Sequence, residues 1–297
     1  MEHNEAFKKK VQYIDYFRQT IDIVNWGGYQ LDNGIVMQMP SDKSMQQRTI
    51  FYEKETSVRN IPPGPPTLVR VENKDCLDAA QLLLGEGYHP AVLNMANRHH
   101  PGGGVKYGAR AQEESIFRRT NIYRSIYQFA PWASMYRLTA SCHQYPMDKN
   151  FGGIYSPDVF VFRETEQKEC ALLDNPFYVS VISVAGVYNP QLTADGMMAP
   201  SPVELTKNKI RTIFRIGLLN GHDSLVLGAI GCGAFQNPPR HVALLFKEVM
   251  NEPEFRNKYR LLYFAILEDH NSHRAHNPEG NLKPFQTVFA DMCSSKA

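Results

Sequence analysis

The sequence lacks any run of about 18 consecutive apolar residues, the length that a membrane-spanning helix needs. Its N-terminus, Met1-Glu2-His3-Asn4-Glu5, is polar, so we expect neither a membrane span nor a cleaved signal peptide. The cysteines are odd in number and scattered, without the CxxC spacing of a zinc site: Cys76, Cys142, Cys170, Cys232 and Cys293. Such cysteines are typical of a reducing compartment, and the sequence therefore predicts a cytoplasmic location.

A strong excess of charge of either sign is also absent. The formal net charge is +2 and the sequence pI ≈ 8.2, so bulk charge indicates neither a nucleic acid nor a membrane surface as partner. Internal repeats and low-complexity segments do not occur. What the chain does have is 297 residues with 43% hydrophobic content, which is enough for a substantial core.

The first 60 residues are predicted to lie outside the core of the protein. We predict that residues 1–60 form a mostly helical N-terminal extension and residues 61–297 the core. Apolar residues at helical spacing lie on one side of a helix within residues 5–23, and the prolines of residues 61–66 exclude a helix or a central strand there. This proline cluster is expected to mark the entry to the core.

Short apolar runs alternate with helical stretches in the predicted core. Strands are predicted at residues 67–71, 91–94, 178–184, 224–228 and 260–267. Helices are predicted at residues 75–84, 112–127, 201–219 and 239–250. This alternation predicts an α/β sandwich with a mixed or largely parallel sheet.

A glycine triplet, Gly102-Gly103-Gly104, follows the strand predicted at residues 91–94. Glycines let a ligand approach the backbone closely, and their N–H groups can then point at it. Residues 105–111 separate the triplet from Gln112, Glu113 and Glu114, which open the next predicted helix. The motif favours chemistry on a phosphate-bearing sugar. The structural alternative is a surface turn before a helix whose dipole favours glutamate in its first turn.

A second glycine-rich stretch, Leu227–Pro239, follows the strand predicted at residues 224–228. Ligands of α/β sheets bind beyond the carboxyl ends of the strands. We therefore expect both glycine-rich loops at one edge of the sheet, where they form a cleft suited to a diphosphate.

These motifs resemble the bacterial-type poly(ADP-ribose) glycohydrolases, a branch of the macrodomain superfamily. The signature of that family is a glycine triplet separated by six to eight residues from Gln-Glu-Glu. Residues 227–239 look like the family's second phosphate loop, and residues 154–163 are also similar. The resemblance runs from about residue 50 to about residue 290. It implies a macrodomain-like α/β/α sandwich with a mixed sheet, joined to the helical N-terminal extension.

The resemblance also implies a reaction, the hydrolysis of ribose–ribose O-glycosidic bonds that releases ADP-ribose from poly(ADP-ribose). It places the general acid at Glu114, which would protonate the leaving 2′-oxygen and then activate water. Glu113 would bind ribose hydroxyls, Asn97 would bind the distal ribose, and Gln112 would fix the loop or the glutamates. No metal or cofactor is implied. The remaining implied contacts come from Gly102, Gly103, Gly104 and Val105 to the scissile ribose and phosphate, from the N–H groups of Gly231, Cys232, Gly233 and Ala234 to the diphosphate, and from Phe235 to the terminal ribose.

Two other functions remain open from the sequence. A mono-ADP-ribosyl hydrolase acting on protein or nucleic-acid adducts would share the fold and the cleft. A non-catalytic ADP-ribose-binding module would need the loops but not the carboxylates, so Glu113 and Glu114 argue against it. The expected partners are ADP-ribose and poly(ADP-ribose) on modified proteins, with ADP-ribosylated nucleic acid as a further candidate and no membrane. The histidines of residues 269–276 lack a cluster at ligand spacing, so no metal site is predicted there.

Overall fold

The computed structural model describes residues 2–39, 43–58 and 61–292, so Cys293 lies outside the described residues. Its helices are α1 (Glu2–Trp26), α2 (Lys43–Arg48), α3 (Cys76–Gly85), α4 (Gln112–Arg119), α5 (Tyr123–Ile126), α6 (Pro200–Leu219), α7 (Pro239–Met250) and α8 (Leu282–Val288). Its strands are β1 (Gly28–Gln30), β2 (Val36–Gln38), β3 (Ile50–Tyr52), β4 (Leu68–Glu72), β5 (Pro90–Met95), β6 (Gly153–Arg163), β7 (Leu172–Val184), β8 (Ser224–Leu227) and β9 (Leu261–Ala265).

The chain divides into two compact units. The first contains residues 1–51, 96–147 and 154–181, and the second contains residues 52–95, 148–153 and 182–297. Within the part of the chain that is described, no helix combines the length and the apolar character required to cross a bilayer.

The second unit contains four parallel strands in the order β5-β8-β9-β4. In β5 the run Ala91–Leu93 is almost completely buried, as expected for a parallel strand that is covered on both faces. Helix α3 begins where the Asp75 carboxylate accepts hydrogen bonds from the N–H groups of Leu77 and Asp78. Because β5 and β8 are parallel neighbours, their carboxyl ends lie at the same edge.

The first unit contains the strand order β3-β6-β7 and a separate antiparallel hairpin of β1 and β2. Residues 164–171 connect β6 to β7, which is too short for a crossover between parallel strands, so these two strands run antiparallel. Parallel and antiparallel pairs thus both occur, and the predicted mixed α/β class is confirmed.

One predicted helix was wrong. The helix expected at residues 112–127 ends at Arg119, and Thr120 adopts an extended conformation with φ −140 and ψ 170. Thr120 forms an antiparallel bridge with Val161, while its side chain donates a hydrogen bond to the carbonyl of Ile116. The helix ends here because the hydroxyl of Thr120 bonds to the preceding turn and its backbone pairs with β6.

Helix α1 packs against α4 within the first unit. The side chain of Phe17 is 3% exposed, and its ring lies 6.4 Å from the ring of Phe117 and 6.4 Å from that of Tyr127. Thr20 donates a hydrogen bond to the carbonyl of Arg118, whose guanidinium lies 4.8 Å from the ring of Tyr13. Residues 1–51 therefore belong to the unit that carries the glycine triplet, and a boundary at residue 60 stays a prediction.

Replacing Phe17 tests how far α1 stabilises this unit. We expect Phe17→Ala to lower the free energy of unfolding by about 3 to 5 kcal/mol, because it removes a buried aromatic ring and leaves a cavity. Phe7→Ala is the matched control on the same helix, since Phe7 is 64% exposed, and it should change stability by less than about 0.5 kcal/mol. Denaturant unfolding of both variants measures the difference, and equal effects would contradict the packing argument.

Candidate active site

The glycine triplet forms a tight loop whose backbone conformation favours glycine at two positions. Gly102 has φ 77 and Gly103 has φ 56, in the left-handed region that residues with a Cβ rarely occupy. The N–H of Gly103 donates to the carbonyl of His100, and the N–H of Val105 donates to the carbonyl of Gly102. A one-turn 3₁₀ helix, Val105–Tyr107, follows the loop.

Glu113 and Glu114 point into this loop from the first turn of α4. One carboxylate oxygen of Glu113 accepts from the N–H of Asn97 at 2.8 Å, and the other accepts from the N–H of Gly102 at 3.1 Å. Oε1 of Glu114 accepts from the N–H of Gly104 at 2.8 Å. Both residues are buried, so backbone N–H donors replace the water that their oxygens would otherwise bind.

The role of the glycine N–H groups therefore differs from the one expected from the sequence. All four N–H groups from Gly102 to Val105 donate within the protein, which leaves none of them for a ligand phosphate. A Cβ on Gly103 would lie 2.3 Å from Oε1 of Glu114 and 2.9 Å from Oε2 of Glu113. The absence of side chains here makes room for the two carboxylates.

The second oxygen of Glu114 is the unsatisfied atom of the site. Oε2 is buried and has no hydrogen-bond partner among the described residues. A buried acceptor without a partner is costly, so this oxygen is suited to accept a hydrogen bond from a ligand hydroxyl. Both oxygens of Glu113 already accept hydrogen bonds. Glu114 thus has a carboxylate oxygen that no described residue engages.

Asn97 uses one end of its side chain to shape the loop. Its Oδ1 accepts from the N–H groups of His99 and His100 at 2.9 and 3.0 Å, which is an Asx turn. Its amide nitrogen donates to no described residue, so it is free to bind a ligand oxygen. Gln112 is half-buried at the start of α4, and Val105 is completely buried. The ligand contacts expected of these residues stay predictions.

Lys106 was not predicted as a site residue. Its ammonium lies 3.5 Å from the ring centre of Trp132, 4.9 Å from that of Tyr136 and 5.2 Å from that of Tyr127. Burial lowers the pKa of Lys106. Three aromatic faces stabilise this cation and hold the one-turn helix that follows the glycine triplet.

Glu113→Gln should disturb the loop more than Glu114→Gln does. Both oxygens of Glu113 accept N–H groups, so an amide NH₂ at this position would face a donor and leave it unpaired. We expect a loss of about 1 to 3 kcal/mol in unfolding free energy. Glu114→Gln keeps an oxygen for the N–H of Gly104 and should lose less. Parallel thermal unfolding compares the two, and the reverse order would contradict this geometry.

The glycine-rich loop of the second unit is held by Asn237. The two hydrogens of its side-chain NH₂ are shared among the carbonyls of Val187, Gly231 and Phe235, at 2.6, 2.9 and 3.2 Å from the nitrogen. Gly231 has φ 76, and a Cβ there would lie 2.5 Å from this amide nitrogen. Asn237 is 1% exposed, so these three hydrogen bonds are made in the interior. Asn237 was not predicted as a site residue, since a loop asparagine is usually a turn former.

The backbone donors of this loop are only in part as expected. The N–H of Cys232 donates to the carbonyl of Ala229 and is not available to a ligand. The N–H groups of Gly231, Gly233, Ala234 and Phe235 donate to no residue in the described part of the chain. Burial raises the pKa of the Cys232 thiol, which argues against nucleophilic chemistry there. The ring of Phe235 packs edge-on against Tyr188 at 5.4 Å.

Asn237→Asp should open the second glycine-rich loop. The substitution conserves shape but replaces the donor by an oxygen that faces three carbonyl oxygens. We expect the free energy of unfolding to fall by about 3 kcal/mol. Asn251→Asp is the control, because the exposed amide of Asn251 makes a single hydrogen bond, to the carbonyl of Lys247. Denaturant unfolding reads both, and an effect for Asn237→Asp no larger than for Asn251→Asp would contradict the role assigned to Asn237.

Among the residues that the structure describes, no group of three or more His, Cys, Asp or Glu side chains could hold a metal ion. Two histidines of residues 269–276 instead lie within hydrogen-bond distance of backbone carbonyls. Nδ1 of His273 lies 3.2 Å from the carbonyl oxygen of Pro278, and Nε2 of His276 lies 2.7 Å from that of Cys232.

Residues 18–164 match the model of a protein family, the microbial-type PARG catalytic domain. Among solved structures, the chain is similar to poly(ADP-ribose) glycohydrolase (PARG) from Thermomonospora curvata, with 26% identity over 93% of this chain and 99% of that one and a TM-score of 0.73. The same enzyme bound to the inhibitor ADP-HPD matches with 25% identity, over 94% of this chain and 98% of that one, with a TM-score of 0.71. The enzyme from Deinococcus radiodurans in complex with ADP-ribose matches with 27% identity, over 86% of this chain and 100% of that one, with a TM-score of 0.67. No curated protein matches the chain.

Proposed function

We propose that this chain, which matches the family model of the microbial-type PARG catalytic domain over residues 18–164, hydrolyses ribose–ribose O-glycosidic bonds of poly(ADP-ribose) and releases ADP-ribose. The observation that carries this proposal is the position of Glu114, which is buried, held at Oε1 by the N–H of Gly104 and unpartnered at Oε2. A carboxyl group in this state can deliver a proton to a glycosidic oxygen that is brought against it.

The reaction can be written with Glu114 as the sole proton carrier. The carboxyl of Glu114 gives its proton to the 2′-oxygen of the leaving ribose as the bond from that oxygen to the anomeric carbon breaks. The sugar passes through an oxocarbenium-like transition state. The carboxylate of Glu114 then takes a proton from water as the water oxygen bonds to the anomeric carbon, which regenerates the acid.

Glu113 is proposed to orient the substrate and not to transfer the proton. Its two oxygens are tied to the N–H groups of Asn97 and Gly102, and this arrangement stabilises its negative charge. We propose that this carboxylate also accepts hydrogen bonds from ribose hydroxyls. The free amide of Asn97 is proposed to bind the distal ribose.

The glycine-rich loop of the second unit is proposed to bind a diphosphate. The unengaged N–H groups of Gly231, Gly233 and Ala234 support this role, since such groups form anion-binding concavities. Phe235 is proposed to pack on the terminal ribose, and its edge-on contact with Tyr188 supports a fixed ring.

We also propose that the substrate is poly(ADP-ribose) attached to modified proteins, and that the enzyme acts in the cytoplasm. Four cysteines of the described residues, Cys76, Cys142, Cys170 and Cys232, are free thiols, as in proteins of reducing compartments. Fractionation of cells that express the tagged chain tests the location.

Parallel assays with three substrates test the proposed function. Labelled poly(ADP-ribose), mono-ADP-ribosylated protein and ADP-ribosylated nucleic acid are incubated with the enzyme, and released ADP-ribose is measured. We expect the polymer to be hydrolysed fastest. Turnover of a mono-ADP-ribosyl adduct alone would identify a mono-ADP-ribosyl hydrolase. Binding of ADP-ribose without any turnover would identify a binding module, and either result would overturn the proposal.

A further inference from the structure

A histidine outside the glycine-rich loop of the second unit holds one carbonyl of that loop. Nε2 of His276 lies 2.7 Å from the carbonyl oxygen of Cys232. A carbonyl oxygen can only accept a hydrogen bond, so Nε2 carries the proton and donates it. Neither the sequence motif nor the proposed reaction uses this residue.

The geometry of the peptide bond gives this contact a consequence for the next residue. In a planar trans peptide, the carbonyl of Cys232 and the N–H of Gly233 point in opposite directions. A carbonyl that is held towards His276 therefore turns the N–H of Gly233 to the opposite side. That N–H donates to no residue in the described part of the chain.

The segment that carries His276 is itself held in place. Asn277 is 2% exposed, its amide donates to the carbonyl of Asn271 at 2.9 Å, and its Oδ1 accepts from the N–H of Arg274 at 2.8 Å. A Cβ on Gly233 would lie 3.3 Å from the Cβ of Asn271. The segment 271–277 thus forms a fixed support directly against Gly233.

We propose that His276 is a positioning residue for diphosphate binding. Its Nε2–H orients the peptide between Cys232 and Gly233 so that the N–H of Gly233 faces the phosphate oxygens of the ligand. This inference rests on the proposed function, because that function supplies the diphosphate. Since the proton transfer belongs to Glu114, the loss of His276 should weaken binding much more than it slows the chemical step.

Two substitutions of His276 separate hydrogen bonding from packing. The amide nitrogen of His276→Gln reaches about as far as the imidazole Nε2, whereas the shorter amide of His276→Asn does not. We expect His276→Asn to raise the Kd for ADP-ribose and the KM for the polymer about tenfold, the effect of one lost hydrogen bond, with little change in kcat. His276→Gln should restore both constants to within about threefold of the unmodified enzyme.

His273→Asn is the matched control. His273 lies in the same segment with a side chain that is 64% exposed, and it should leave Kd and KM unchanged. Calorimetric titration with ADP-ribose, steady-state assays and melting temperatures are measured for all variants. Failure of the unmodified enzyme to bind ADP-ribose would reject the proposed function itself. Normal binding by His276→Asn would overturn the inference alone, and so would an equal loss in His276→Asn and His276→Gln, because that loss would show a packing role.

Discussion

Glu114→Gln is expected to lower kcat on poly(ADP-ribose) by about 10³-fold while leaving the affinity for ADP-ribose within a few-fold of the unmodified enzyme. The amide cannot deliver a proton to the leaving 2′-oxygen or accept one from water. Its oxygen can still accept the hydrogen bond from the N–H of Gly104, so the glycine triplet keeps its conformation. Single-turnover rates on labelled polymer and calorimetric titration with ADP-ribose measure the two quantities separately.

The control for this substitution is a glutamate far from any proposed chemistry. Glu5 lies on α1 with a side chain that is 72% exposed, and Glu5→Gln should leave both rate and affinity unchanged. A Glu114→Gln enzyme that binds ADP-ribose normally and still digests the polymer at full rate would remove Glu114 from the reaction. Loss of affinity together with rate would instead assign Glu114 to binding.

Gly103→Ala is expected to reduce hydrolysis by at least about 10²-fold, since displacing reacting groups by about 1 Å can have this effect. The new methyl group would lie 2.3 Å from Oε1 of Glu114 and 2.9 Å from Oε2 of Glu113. Both carboxylates must move, and with them the hydrogen bond to the N–H of Gly104. The left-handed conformation, φ 56, adds about 1 to 2 kcal/mol of backbone strain.

Gly87→Ala is the control that separates the effect of backbone strain from the effect of the steric clash with the carboxylates. Gly87 also has a positive φ, 77, but an added Cβ would meet no atom within 4 Å. Its alanine variant should lose a similar amount of stability through backbone strain and keep its kcat. Unfolding free energies and steady-state rates are compared for the two variants. If both lost activity alike, the effect of Gly103→Ala would come from strain and not from the carboxylates.

Local sequence patterns predicted much of the secondary structure. The runs at residues 67–71, 91–94 and 224–228 correspond to β4, β5 and β8, and the periodic segments correspond to α3, α6 and α7. These elements bury continuous apolar runs or one apolar face. Whether each is a helix or a strand can therefore be predicted from its own residues, without knowing what it packs against. Strand β6 was recognised only as a motif, and the helix at 112–127 was predicted too long, because pairing between Thr120 and Val161 is a contact between distant residues.

The candidate site was predicted less completely. The motif placed Glu113 and Glu114 beside the glycine triplet, and both carboxylates do contact it. The triplet was expected to offer its N–H groups to a phosphate. Those of Gly102 and Gly104 instead bind the two carboxylates, and that of Gly103 binds the carbonyl of His100. No sequence pattern predicted a role for Asn237 or His276. Each donates a hydrogen bond to a backbone carbonyl whose position is set only when the chain folds.

The sequence by itself determined the fold class, the resemblance to a family and the set of chemical groups, because apolar periodicity and a spaced motif are properties of the chain alone. Only the tertiary structure decided which donor each carboxylate oxygen meets, which oxygen of Glu114 is left without a partner, and which way the peptide after Cys232 turns. Each of these depends on hydrogen bonds of about 3 Å between residues that are apart in sequence, and such distances are set by packing.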